Sequence, residues 1–286
     1  MKRDLLVGVA QWLPAPGEPA LNLSVALGMV DTAATRGVQL LVFPELWSCG
    51  YDPETLPEDA RRSAEGRDGP RAKALGAAAR RHEIFLVAGS VPELEDGMLF
   101  DTILAFNQRG ELAAWHRKTH LYPLTLEHEV FSAGDRLTTF DDPMLGRVGL
   151  VAGFEGDLPE VTRALALRGA RLVVAPSAAE VERGAAWDLL HPAWALANSQ
   201  WWVQANQAGS HSSWTLLGRS RIIAPTGTVV AEASAAVPGG AGAAELLVHR
   251  IDLQLAHRRE GPGSLLEDGR RPDLYAELVE RVQAAG

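Results

Sequence analysis

The sequence predicts an α/β fold made of two similar halves, and three observations predict it. Short continuous apolar runs alternate with stretches of helical period, the pattern of strands buried on both faces and covered by helices. One stretch is echoed later in the chain. Arg36-Gly37-Val38-Gln39-Leu40-Leu41-Val42-Phe43-Pro44-Glu45 is matched, 132 residues on, by Arg168-Gly169-Ala170-Arg171-Leu172-Val173-Val174-Ala175-Pro176-Ser177. Each reads as a helix end, a glycine stop, a buried strand and a proline exit. Finally, no break in composition divides the 286 residues, so 1–286 reads as a single domain of two halves packed together.

The elements follow in order. The runs predict a strand over 5–10, a helix over 21–36 stopped by Gly37, and a strand over 39–43 closed by Pro44. A helix over 71–81 and a strand over 84–90 come next. Strands over 98–107 and 112–117 are joined by a turn at Gln108-Arg109-Gly110. The second half repeats the theme with a strand over 147–152, a helix over 159–168, a strand over 172–175 and a helix over 185–199. A strand over 202–207 follows, then a hairpin of 219–224 and 229–231 around Thr226-Gly227, and a strand over 246–253. Residues 233–244, rich in Ala, Gly and Pro, read as a surface loop. A last helix is expected over about 273–284.

Composition narrows the function. A net charge of −9 with no basic cluster argues against nucleic acid. No apolar run approaches the roughly 20 residues of a membrane span, and the start of the chain has no signal-peptide character. The single cysteine, Cys49, excludes an internal disulfide framework and points to a reducing, cytoplasmic setting. No P-loop appears, and no cofactor is expected.

Three residues stand where chemistry is done. Glu45 follows a buried strand, at the crevice where α/β sheets hold ligands, and a carboxylate there can serve as a general base. Lys118 follows a second strand and would supply a fixed cation for a developing oxyanion. Glu127 lies in an acidic loop. Taken alone, each reads more readily as a solvated residue. His116 and His120 are four apart, but on a strand end and loop they would not share a face as metal ligands must. Ser177 ends the matching strand of the second half and could sit near the site, although a lone serine there is more often a cap. Of the eight tryptophans, Trp187 or Trp214 would suit the wall of a pocket.

Together the motifs are distinctive. Phe43-Pro44-Glu45-Leu46 with Gly50-Tyr51, then His116-Arg117-Lys118 with His120-Leu121, then Glu127 with Phe131 and Gly134-Asp135, resemble the carbon–nitrogen hydrolase (nitrilase) superfamily in that order. The likeness continues through Arg147-Val148-Gly149-Leu150, Glu155-Gly156-Asp157-Leu158-Pro159-Glu160, Asn206, Gly218-Arg219-Ser220 and Arg271-Pro272-Asp273-Leu274-Tyr275. The resemblance implies a four-layer α-β-β-α sandwich and a homodimer. It implies a site in which Glu45 is the base, Lys118 steadies the oxyanion, Glu127 orients the group and a cysteine attacks a nitrile or amide carbon. Tyr51, Phe154, Glu155 and Trp187 are then the candidate substrate-binding residues.

At one position the chain departs from that pattern. Where the family carries a Cys-aromatic-acid triplet, this sequence reads Gly153-Phe154-Glu155, so the nucleophile position holds Gly153. The flanking residues are retained, with Asp157 the expected N-cap of the following helix. Cys49, four residues after Glu45, lies outside that position and reads as a packed thiol. Phe154 and the short stretch after Tyr275 favour an amidase over a nitrilase, with a small non-peptide amide as substrate or ligand. Three readings stay open: a catalytically inactive pseudoenzyme that binds an amide-like ligand or a partner protein; a hydrolase or lyase in which Glu45 activates water in the space left at Gly153; and an altered form of an ordinary amidase.

Overall fold

The computed structural model describes residues 4–237, 239–240, 242, 244–257 and 269–278. The chain runs β1 (Asp4–Gln11), α1 (Pro19–Thr35), β2 (Leu40–Val42), α2 (Leu56–Ser63), α3 (Pro70–His82), β3 (Phe85–Glu95), β4 (Met98–Phe106), β5 (Leu112–Arg117) and α4 (Glu127–Val130). It continues through β6 (Thr138–Asp142), β7 (Gly146–Leu150), α5 (Pro159–Leu167), β8 (Leu172–Ser177), α6 (Gly184–Asn198), β9 (Trp201–Asn206), β10 (Ala208–His211) and β11 (Trp214–Leu217). The last elements are β12 (Arg221–Ile223), β13 (Val229–Glu232), β14 (Glu245–Asp252) and α7 (Gln254–His257).

Two six-stranded sheets result, in the orders β14-β1-β2-β3-β4-β5 and β6-β7-β8-β9-β12-β13. They are the same sheet built twice. Each has an antiparallel edge strand, three parallel strands and an antiparallel hairpin at the far side. The parallel strands are apolar runs because both of their faces are covered. One face of each sheet meets the other sheet. Leu5, Val7, Val42 and Val87 pack there with Val148, Leu150, Val174 and Val203, and the rings of Phe85 and Phe140 stack 5.9 Å apart. The outer face of the first sheet takes Ala26 and Val30 of α1 and Leu75 and Ala79 of α3. That of the second takes Val161 and Leu165 of α5 and Ala195 of α6. The layers are therefore helix, sheet, sheet, helix.

The echoed segment is where the repeat is plainest. Gly37 and Gly169 both take positive φ, +70° and +86°, two residues beyond the end of α1 and of α5 and just ahead of β2 and β8. Glycine reaches that region without a Cβ penalty. The symmetry is broken by β14, which joins the first sheet after the chain has completed the second.

Several expectations need correction. Leu158, not Asp157, occupies the N-cap place of α5, and it makes no side-chain cap bond. The Asp157 carboxylate is instead bonded to His191 and Arg183. Helix α2, strand β6 and the β10–β11 hairpin were not expected. β6 reads Thr-Thr-Phe-Asp-Asp and is half exposed, and β10 is Ala-Gly-Ser-His, so neither shows an apolar run. Of the helix expected over 273–284, the described part is two short 3-10 turns, Pro272–Leu274 and Ala276–Leu278, and residues 279–284 lie outside the described residues.

Candidate active site

Strand ends from both sheets converge on one cavity. The chain leaves β2 through Phe43-Pro44, which delivers Glu45. Lys118 is the first residue after β5, pinned by its backbone N–H donating to the Asp101 carbonyl at 2.8 Å. Glu127 opens the short helix α4. All three are nearly sealed from solvent. The Lys118 ammonium donates to Glu45 Oε1 and to Glu127 Oε1, both at 2.7 Å. Glu127 also accepts the Tyr51 hydroxyl at 2.5 Å and the Tyr122 backbone N–H at 2.8 Å, which leaves it rigidly held.

The electrostatics follow from this crowding. Burial alone would pull the Lys118 ammonium down, but Glu127, Glu45 and Asp101 more than reverse that, and its pKa is raised. The lysine is thus a permanent cation. Burial pushes the Glu45 carboxyl up, against the pull of Lys118, and Glu127 pushes it the same way. Burial, then Glu127 and Glu45, hold the Tyr51 hydroxyl well above its ordinary value, so it remains a donor.

The second half closes the cavity. A 3-10 turn, Gly153–Asp157, brings Gly153 and Phe154 to the wall. Phe154 lies against Tyr122, with ring centroids 5.3 Å apart. Trp187 and His191 of α6 lie on the same side, with Arg183 and Glu180 just ahead of that helix. The cavity holds about 30 Å³ of free space, room for roughly two water-sized groups.

Gly153 has φ of +47°, and a Cβ built on it would stand 2.4 Å from Glu45 Oε2 and 2.6 Å from Oε1. The Glu45 carboxylate therefore fills the space that a side chain at this position would need. This corrects the expectation of an open gap for a water at Gly153: the carboxylate lies there itself.

Of the expected residues, the structure brings together Glu45, Tyr51, Lys118, Glu127, Gly153, Phe154, Ser177 and Trp187 around the cavity. Glu155 is a correction. It does not line the cavity, and its buried carboxylate is used up by the protein. Oε1 accepts from the Thr119 N–H at 2.6 Å and the Thr119 hydroxyl at 2.5 Å. Oε2 accepts the Ala152 N–H at 2.7 Å and bonds His116 at 2.8 Å. Burial would raise this carboxyl, but His116 and the other donors hold it well below the ordinary range. Trp214 also stands off the cavity, 6.4 Å from the Tyr51 ring. Cys49 is buried outside it, packed with Leu46 and Leu56. Its thiol, hydrogen-bonded to the Leu46 and Gly50 carbonyls, is pushed up to about 12 by burial. A thiol so placed is protonated at neutral pH and a poor nucleophile.

Sequence reasoning missed Tyr122, Asp157, Glu180, Arg183 and His191 as cavity residues. His191 did leave a signal, since it stands four residues after Trp187 and so on the same helix face. Its ring lies between Trp187 and Trp202, and burial, then Arg221 and Arg183, hold it well below its ordinary pKa, so it stays neutral. Arg183 pairs with Asp157 and lies over the Tyr122 ring. Nothing in the local sequence of its loop marks it.

Comparison with known proteins settles the family. The carbon–nitrogen hydrolase family model matches residues 6–259. The chain belongs to the carbon–nitrogen hydrolases. It is similar to omega-amidase NIT2-A of Xenopus laevis, 32% identical over 280 residues that cover 94% of this chain and 96% of that one. It is also 32% identical to omega-amidase NIT2 of Homo sapiens over 266 residues, 89% and 91% of the two chains. Among solved structures, Nit3 of Saccharomyces cerevisiae, of the nitrilase superfamily, matches with a TM-score of 0.79 and 26% identity over 90% of this chain and 93% of that one. A cysteine-to-serine variant of the Nesterenkonia AN1 amidase, from the same superfamily, matches with a TM-score of 0.78 and 26% identity over 96% and 97%. Within the carbon–nitrogen hydrolases the chain is of the amidase type.

Proposed function

We propose that this carbon–nitrogen hydrolase keeps the amide pocket of its family and uses it to hold a small uncharged amide without covalent turnover. One observation carries the reading: the wall of the pocket at position 153 is a glycine, and the carboxylate of Glu45 lies against it. A glutamate-to-glutamine variant of the Nesterenkonia amidase has been seen with acrylamide added at its active site cysteine. Here the single cysteine is Cys49, outside the cavity and protonated. A base and an oxyanion cation without a nucleophile lose most of the catalytic advantage, because members of such a unit act together.

The charges define the ligand. Lys118 is bonded to two glutamates and Arg183 is paired with Asp157, so both cavity cations are already neutralised by carboxylates. A ligand carboxylate would have to displace one of these pairs. An uncharged amide does not, and its NH₂ group suits the carboxylate of Glu45. With about 30 Å³ of free space, the ligand is small.

The test compares the chain with Gly153→Cys, using formamide, a very small amide, as probe. A non-glycine residue at this φ costs on the order of 1 kcal/mol, and the Glu45 carboxylate must swing aside, which places the new thiol against the base. We expect the unaltered chain to bind formamide in calorimetry and release ammonia no faster than the buffer alone. The variant should release ammonia at least about 10³-fold faster and lose that activity to iodoacetamide. Turnover by the unaltered chain equal to that of the variant overturns the non-covalent reading. No binding, together with an inert but folded variant, overturns the pocket assignment itself.

A further inference from the structure

We propose that Gln207 is a positioning residue of this site, which fixes where the Glu45 carboxylate lies by tying the main chain of Glu45 to the second sheet. Gln207 is the first residue after β9, and it is fully buried. Its side-chain NH₂ donates to the Glu45 carbonyl oxygen at 2.7 Å. Its side-chain oxygen is sealed from solvent and has no hydrogen-bond partner. A methionine or leucine would fill such a place without leaving a buried acceptor idle, so the NH₂ half is what accounts for an amide here.

Three residues close a ring. The Glu45 N–H and the Gln207 N–H both donate to the Ser177 carbonyl, each at 3.3 Å, and the Gln207 side chain returns to the Glu45 carbonyl. The exit from β2 is thereby tied to the ends of β8 and β9. The peptide that joins Glu45 to Leu46 is held from both sides. Its carbonyl is taken by Gln207, and its N–H donates to the Ser90 hydroxyl of β3 at 3.0 Å. Ser90 also donates its own N–H to the Pro44 carbonyl at 3.2 Å.

The turn needs such holding. Leu46 has φ of +47°. A leucine meets steric resistance in the left-handed region and rests there only where its surroundings dictate it. Relaxation of Leu46 toward negative φ would rotate the peptide before it, and Glu45 with that peptide. The bond from Gln207 opposes the rotation, because its acceptor is the oxygen of that peptide. What the clamp fixes is the approach of the Glu45 carboxylate to Gly153, so close that a Cβ there would stand 2.4 Å from Oε2. Gln207 and Gly153 both belong to the second half, so Glu45 is registered against the half that carries the wall. Gln207 does not line the cavity and acts through Glu45. Its bearing on function rests on Glu45 being the group that meets the ligand.

A double-mutant cycle on the full chain tests the clamp with no ligand present, so it stands or falls apart from formamide binding. Gly153→Ala sets a Cβ against the Glu45 carboxylate and should lower Tm. Gln207→Met keeps the bulk of the side chain and removes the donor, which leaves Glu45 free to yield. The strain of alanine at this φ is present in both backgrounds and cancels. We expect the Tm loss from Gly153→Ala to be at least about 2 °C smaller in the Gln207→Met background than in the unaltered one. A glutamine that served the fold alone would give equal losses, and equal losses overturn the proposal. If the methionine variant does not fold, Gln207→Asn repeats the cycle, its amide one methylene too short to reach the carbonyl. A crystal structure of the folded variant should show the Glu45 carboxylate moved by about 1 Å or more from its place over Gly153. A carboxylate that has not moved also overturns the proposal.

Discussion

The two halves share one topology and almost none of their chemistry. Each sheet follows the same sequence of antiparallel edge, three parallel strands and hairpin. Yet the position of Glu45, two residues after Phe43, is matched in the second half by Ser177 at the end of β8. The two residues touch, with the Glu45 N–H donating to the Ser177 carbonyl at 3.3 Å. The first half supplies the titrating set, Glu45, Lys118 and Glu127. The second supplies the wall, with Gly153, Phe154, Trp187, a neutral His191 and the Arg183–Asp157 pair. Buried strands are specified by apolar runs, which both halves keep. Strand-end residues are not needed for the sheet, so each half is free to carry different chemistry there.

The sharpest way to break this division is to remove the cation of the charged half. Lys118→Met keeps the length and apolar stem of the side chain but leaves Glu45 and Glu127 facing each other in a sealed site. Removing one partner of a buried ion pair costs about 3–5 kcal/mol. Denaturant unfolding at neutral pH should show a loss of that size, shrinking as acid protonates the glutamates. A loss under about 1 kcal/mol would mean that the first-half charges are not the coupled set described here.

Most of the division was legible in the sequence. The strands came from apolar runs, and the repeat from the match between 36–45 and 168–177. The three charged residues were found because their motifs, weak singly, occur in a fixed order. What escaped detection depends on contacts between segments distant in sequence. Asp157 looked like a helix cap because Pro159 and Glu160 follow it, but its carboxylate is claimed by His191, 34 residues away. Glu155 looked like a pocket residue because it adjoins Phe154, yet the 3-10 turn points it at His116 and Thr119 of the other half. The space at Gly153 could not be judged without knowing that Glu45 folds over it.

Glu155 tests the seam between the halves. Its carboxylate joins His116 of β5 and Thr119 just after that strand to Ala152, which follows β7. Glutamine in its place has one acceptor where two are needed, so a buried N–H loses its partner at about 1–3 kcal/mol. Glu155→Gln should lower stability by that amount at neutral pH. The sign with pH is also fixed. A carboxyl held below its unfolded pKa adds stability above the unfolded value, about 4.3, and loses it as pH falls through the folded one. The variant should therefore lack part of the acid-limb decline of the unaltered chain. Parallel stability–pH curves for the two would show that Glu155 does not carry this link.

Ser177 gives the smallest expected effect and the closest comparison, since it is the second-half counterpart of Glu45. Its hydroxyl makes one long bond within its own strand, to the Ala175 carbonyl at 3.3 Å. Its contribution to Glu45 comes from its backbone carbonyl, which substitution leaves in place. Ser177→Ala should change stability by no more than about 1 kcal/mol and leave formamide affinity within about threefold. Glu45→Ala measured beside it should abolish that affinity. Equal losses from the two substitutions would mean that both strand ends serve the ligand, and that the halves share chemistry as well as topology. A loss confined to Glu45 places the chemistry in one copy of a duplicated scaffold, with the other copy shaping the wall against which it acts.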